Sequence, residues 1–149
     1  MNWNSLEDVI RFAIRKEADA AAFYRMAAGR SNPGVKTAFE ELARMEDGHK
    51  KQLESFDPKK IGKVELKETK GLGLAEAMED VPFSSDMNYA ELLKMAIKNE
   101  EKAEQLYTGM ASWVTDPQIK KVLTMLAHDE TGHKKQLEKI YDDEVLEEF

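Results

Sequence analysis

At 149 residues the chain has the length of a single domain with one substantial core. With 34% charged residues, 42% hydrophobic residues, 4 prolines and 8 glycines, it reads as globular and rich in long helices rather than disordered or β-rich. A net charge of -7 argues against nucleic acid or an anionic membrane as partner, since both need a concentrated basic surface, and the absence of cysteine excludes disulfides, thiolate metal sites and cysteine nucleophiles.

The N-terminal stretch MNWNSLEDVI lacks the basic-then-apolar layout of a secretion signal. No apolar run approaches the roughly 20 residues that span a bilayer. The expected location is the cytoplasm, with no membrane partner.

A first helix is predicted from a Ser5 cap to about Gly29, because Leu6, Val9, Ile10, Ala13, Ile14, Ala20, Ala21 and Tyr24 recur at the spacing of one apolar face. Asn32 then caps a second helix that begins with Pro33 and runs to about Phe56. Residues 57–86 break the pattern with scattered glycines and prolines, and read as a crossover containing a short helix at Leu74 to Met78.

The third helix starts at an Asn88/Glu91 capping box and carries the stripe Leu92, Leu93, Ala96, Ile97, Ala103 and Tyr107. A fourth opens on Asp116 and Pro117 and continues through Val122, Leu123, Leu126, Ala127, Leu137 and Ile140. The expectation is an all-α domain over 1–149 with an internal repeat, 4–56 and 87–141, forming two helix hairpins.

The repeat is explicit. AIRKE at 13–17 returns as AIKNE at 96–100, and EDGHKKQLE at 46–54 returns as ETGHKKQLE at 130–138. Glu17 and Tyr24 align with Glu100 and Tyr107 at an offset of 83, whereas Glu46 and His49 align with Glu130 and His133 at an offset of 84. The one-residue change falls in the turn inside each hairpin.

Polar residues interrupt each apolar stripe at matching places. Glu17 and Glu100 sit on the core faces of the first and third helices; Glu46 with His49, and Glu130 with His133, sit on those of the second and fourth. A lone Glu-x-x-His is usually solvated, and a lone Glu in a stripe usually snorkels. Here the same exception occurs at four corresponding places.

Burying four uncompensated carboxylates would cost several kcal/mol each, against a net stability of about 5–15 kcal/mol. Two divalent cations would balance them, with the imidazoles as neutral ligands. One Glu from each of two helices plus a Glu-x-x-His from each of the others is the donor set of a carboxylate-bridged di-iron or di-manganese site in a four-helix bundle. Tyr24 and Tyr107, two turns beyond Glu17 and Glu100, are placed to hydrogen-bond ligand carboxylates on facing helices. Glu104 lacks a counterpart, Ala21 standing in its place, and is a candidate for an additional ligand or for solvated surface. His128 and the KKQLE tails read as surface apart from the leucine.

With Glu17 and Tyr24, Glu46-Asp-Gly-His49, Glu100 and Tyr107, and Glu130-Thr-Gly-His133, the sequence resembles the ferritin-like domain of the rubrerythrin family over nearly its whole length. The resemblance implies a ferritin-like four-helix bundle with a long crossover, a centre of two iron ions, and reduction of hydrogen peroxide or dioxygen. Two features depart from the family pattern. The cysteine-bearing rubredoxin module has no counterpart, so electrons are expected from a separate donor protein; and the additional Glu of the third helix is replaced by Ala103, with Glu104 one step late. A slow iron-binding or ferroxidase protein and a manganese catalase-like enzyme remain the alternatives. A homodimer is the expected assembly.

Overall fold

The computed structural model describes residues 5–61, 78 and 86–146. Four long helices dominate it: α1 (Leu6–Arg30), α2 (Pro33–Glu54), α4 (Tyr89–Trp113) and α5 (Pro117–Tyr141), with a single helical turn, α3 (Pro58–Ile61), after the first hairpin. No strand occurs among the described residues. The expected helix at Leu74 to Met78 lies outside them, except for Met78, which is in a turn.

The helix starts follow side-chain chemistry. Ser5 is extended and its hydroxyl accepts the N–H of Asp8 at 3.3 Å. Asn88 and Glu91 satisfy each other's backbone N–H in a complete capping box. Asp116 accepts from the N–H groups of both Gln118 and Ile119, at 3.0 and 3.1 Å. Asn32 occupies the cap of α2 but makes no side-chain capping bond. Pro33 at the first helical position has no N–H to satisfy, so one unpaired donor is already removed.

Helix ends differ slightly from expectation. Helix α1 runs through Gly29 to Arg30. Helix α2 stops at Glu54 with Ser55 as its C-cap: the Ser55 N–H still reaches the carbonyls of Lys51 and Gln52, and its hydroxyl donates to the Gln52 carbonyl at 2.7 Å. Between paired helices, Ser31 and Asn32 join α1 to α2, while Val114 to Asp116 join α4 to α5. The second link is one residue longer, which is the change of offset seen in the sequence repeat.

Each helix pairs chiefly with its own hairpin partner, and the hairpins meet through two apolar layers. One layer joins the start of α1 (Leu6, Val9, Phe12) to the ends of α2 and α4 (Leu53, Met110) and the start of α5 (Leu123). The other joins the end of α1 (Tyr24, Ala28) to Phe39 and Leu42 of α2, Leu93 of α4 and Leu137 of α5. Helix α4 therefore runs antiparallel to α1, and α5 parallel to it. Full burial of a side chain such as Leu53 or Leu123 contributes about 1.5–3 kcal/mol, so these layers, rather than helix propensity, hold the bundle together. Neither layer contains the four glutamates. They lie between the two.

The caps give a direct comparison. Asp116→Ala is expected to lower the unfolding free energy by about 1 kcal/mol, because two N–H groups lose their acceptor. Asn32→Ala should leave it nearly unchanged, and urea denaturation of both variants checks the contrast.

Candidate metal centre

Three turns into α1, Glu17 follows Ile10, Ala13 and Ile14 on the inward stripe, so helix periodicity carries its carboxylate into the core. Glu100 is placed the same way on α4. The Glu-x-x-His spacing stacks Glu46 over His49 on α2 and Glu130 over His133 on α5. All six side chains are buried, with exposures of 1–5%.

The structure brings the six together into two overlapping groups: Glu17, Glu46, His49 and Glu130, and Glu46, Glu100, Glu130 and His133. Within each group the donor atoms lie within 4.8 Å of one another. Glu46 and Glu130 belong to both.

The distances are nearly two-fold symmetric. His49 Nδ1 is 2.8 Å from Glu130 Oε1 and 3.6 Å from Glu17 Oε1. His133 Nδ1 is 2.8 Å from Glu46 Oε1 and 3.6 Å from Glu100 Oε2. Each histidine thus approaches most closely the Glu-x-x-His glutamate of the opposite hairpin. The imidazoles stack with centroids 5.7 Å apart.

Each of the six residues has a buried atom in the cluster without a hydrogen-bond partner, namely Glu17 Oε2, Glu46 Oε1, His49 Nδ1, Glu100 Oε2, Glu130 Oε1 and His133 Nδ1; His133 Nε2, on the other side of its ring, is a seventh. A buried polar atom left unpaired costs about 1–3 kcal/mol, more when charged, so six at one place make a set that a cation would satisfy. Carboxylate oxygens with one imidazole nitrogen at each position suit iron or manganese.

The tyrosines cross between hairpins. The Tyr24 hydroxyl on α1 donates to Glu100 Oε1 on α4, and the Tyr107 hydroxyl on α4 donates to Glu17 Oε1 on α1. Each phenol satisfies one carboxylate oxygen, and the other, Oε2, is buried without a hydrogen-bond partner. Burial, followed by the charge of the nearby carboxylates, raises both phenol pKa values well above the ordinary one, so the tyrosines remain donors.

Without a cation the cluster retains protons. Burial first, and then repulsion from Glu100 among others, pushes Glu46 and Glu130 well above the usual carboxylate range. Burial acts the same way on Glu100, but its neighbours Glu130 and His133, with the hydroxyl of Tyr24, outweigh it and lower its pKa. Burial opposes charging of His49, yet Glu17 and Asp129 prevail and raise its pKa.

Asp129 escaped the sequence reading. Its carboxylate lies 3.1 Å from His49 Nε2, the ring nitrogen turned away from the cluster. The signal available was an asymmetry: Asp129 precedes Glu130, whereas Met45 precedes Glu46. Glu104 belongs to neither group, is partly buried and accepts from Thr108 Oγ1 at 3.3 Å. His128 is exposed, while Leu53 and Leu137 of the two KKQLE tails are buried.

A partly open cavity of about 420 Å³ lies between α1 and α4 and reaches Glu17, Glu46, Glu100 and Glu130. Its walls owe their space to small side chains at repeat-related positions, Ala13 with Ala96 and Ala20 with Ala103. Ala103, one residue before Glu104, is thus part of the cavity wall.

Two expectations follow for the metal-free protein. Glu46 and Glu130 hold protons that the unfolded chain releases, so the folded state binds more protons and stability falls as pH rises from the ordinary carboxylate value towards their raised values. Glu100 opposes this as one group against two. Melting temperature in chelator should decline with pH over that window, and Glu46→Gln with Glu130→Gln should flatten the decline. Tyr107→Phe, which leaves Glu17 Oε1 buried and unpaired, should cost about 1–3 kcal/mol in chemical denaturation.

The family model for rubrerythrin matches residues 8–81 and 91–148. No curated protein matches the chain. Among solved structures, one described as a ferritin-like diiron-carboxylate protein from Thermotoga maritima superposes with a TM-score of 0.73 at 20% identity, covering 97% of this chain and 99% of that one. At that identity the likeness establishes the fold, an all-α ferritin-like bundle. Because the family match takes in both hairpins and every residue of the buried carboxylate–histidine cluster, the chain belongs to the rubrerythrin family.

Proposed function

We propose that the cluster holds two iron ions and reduces hydrogen peroxide, or dioxygen, with electrons from a separate donor protein. The observation that carries this reading is the sharing of Glu46 and Glu130 between two four-residue groups, each completed by one histidine and one further glutamate. Glu17 with His49 would serve one ion and Glu100 with His133 the other. Four carboxylates then balance two divalent cations in a site where uncompensated charge is costly.

Ferrous ions held by these residues would supply one electron each, which with two protons would convert hydrogen peroxide to two waters. The protein's own groups prepare the site. Tyr24 and Tyr107 fix the rotamers of Glu100 and Glu17 and keep protonated hydroxyls beside the cluster. Apolar layers on both sides limit water, and the alanine-walled cavity gives a small oxidant an approach between α1 and α4.

Anaerobic titration with Fe(II) is expected to give two ions per chain and a clear rise in melting temperature, since a ligand bound only by the folded state stabilises it. Peroxide added to the di-ferrous protein should then oxidise both irons at one equivalent per chain, followed by absorbance. Two bound irons with no oxidation faster than free Fe(II) would instead favour slow iron handling. Full activity with manganese alone, evolving oxygen from peroxide, would favour a catalase-like enzyme.

A further inference from the structure

The two halves of the cluster are alike in their inward contacts and unlike in their outward ones. His49 presents Nδ1 to the carboxylates, and its Nε2 lies 3.1 Å from Asp129 on the facing helix α5. His133 presents Nδ1 in the same way, but its buried Nε2 has no hydrogen-bond partner among the described residues. The repeat explains the difference: at the position on α2 corresponding to Asp129 stands Met45, whose thioether cannot stand in for a carboxylate.

A carboxylate behind a ligating imidazole fixes its tautomer and ring orientation, and makes the other nitrogen a stronger donor. The Nε2–H of His49 has such an acceptor, which leaves the Nδ1 lone pair directed at the cluster. His133 has no acceptor to choose its tautomer or hold its ring. We propose, on the basis of the dinuclear reading above, that the two metal positions are inequivalent and fill in order, the Glu17/His49 position first, with Asp129 as the positioning residue.

Asp129 is well suited to a test because its side chain is 37% exposed and substitution leaves no cavity in the core. Mn(II), which is not oxidised during the measurement, is titrated into apo protein and the free ion counted by electron paramagnetic resonance. The wild type should show two resolved steps, the tighter removed by Glu17→Gln and the weaker by Glu100→Gln. Asp129→Ala should weaken the tighter step about 10- to 100-fold and leave the weaker one in place. Asp129→Asn, whose side-chain oxygen still accepts from Nε2–H, should recover part of the loss. Met45→Asp should tighten the weaker step, a gain that no general effect on folding would produce.

Equal affinities in the wild type, loss of the tighter step in Glu100→Gln but not in Glu17→Gln, or equal weakening of both steps by Asp129→Ala would overturn the assignment while leaving a dinuclear site standing. Wild-type protein that binds no Mn(II) and no Fe(II) would overturn the dinuclear reading and the order of filling with it.

Discussion

Four carboxylates with the same charge, buried within a few ångströms of one another, are the constraint on which the rest of this bundle depends. Helix periodicity forces Glu17, Glu46, Glu100 and Glu130 inward, and no lysine or arginine is buried with them among the described residues. Such an arrangement is stable only if protons or cations neutralise it. With neither, the centre of the bundle would push its own hairpins apart. A cation held there would therefore be coupled to folding through the same six side chains.

The two apolar layers gain meaning from this. Each hairpin buries its own seam, but neither supplies a complete set of donors. Half the cluster comes from each side, and each tyrosine reaches across to a carboxylate of the other hairpin. Polar contacts thus set the alignment of the hairpins, while the layers on either side provide most of the cohesion. The arrangement separates the source of stability from the source of specificity, a use of buried polar groups known from helical assemblies.

Near-symmetry also makes small differences informative. The 2.8 and 3.6 Å contacts recur in both halves, so a two-fold relation governs the inner contacts. Departures from it occur outside: Asp129 behind His49, Met45 at the equivalent place, and Glu104 bonded to Thr108 where the first hairpin has Ala21 and Arg25. A duplicated framework fixes the chemistry that both halves share, and single substitutions around it distinguish them.

Much of this was legible in the residues themselves. Three of the four caps, the four apolar stripes, the one-residue difference between hairpin links, and the four glutamates and two histidines on the inward faces all follow from local periodicity and from the repeat. Local rules suffice there because a helix determines which side chains share a face. They also located the tyrosines near carboxylates, but not on which hairpin each would act. Only the tertiary structure decided that Tyr24 serves Glu100 and Tyr107 serves Glu17, that Glu46 and Glu130 belong to both halves, that Asp129 backs His49, and that the alanines of α1 and α4 leave a cavity open to the cluster. Those contacts join residues about 75–90 positions apart, and their partners depend on how the hairpins cross, a relation that no spacing within one helix encodes.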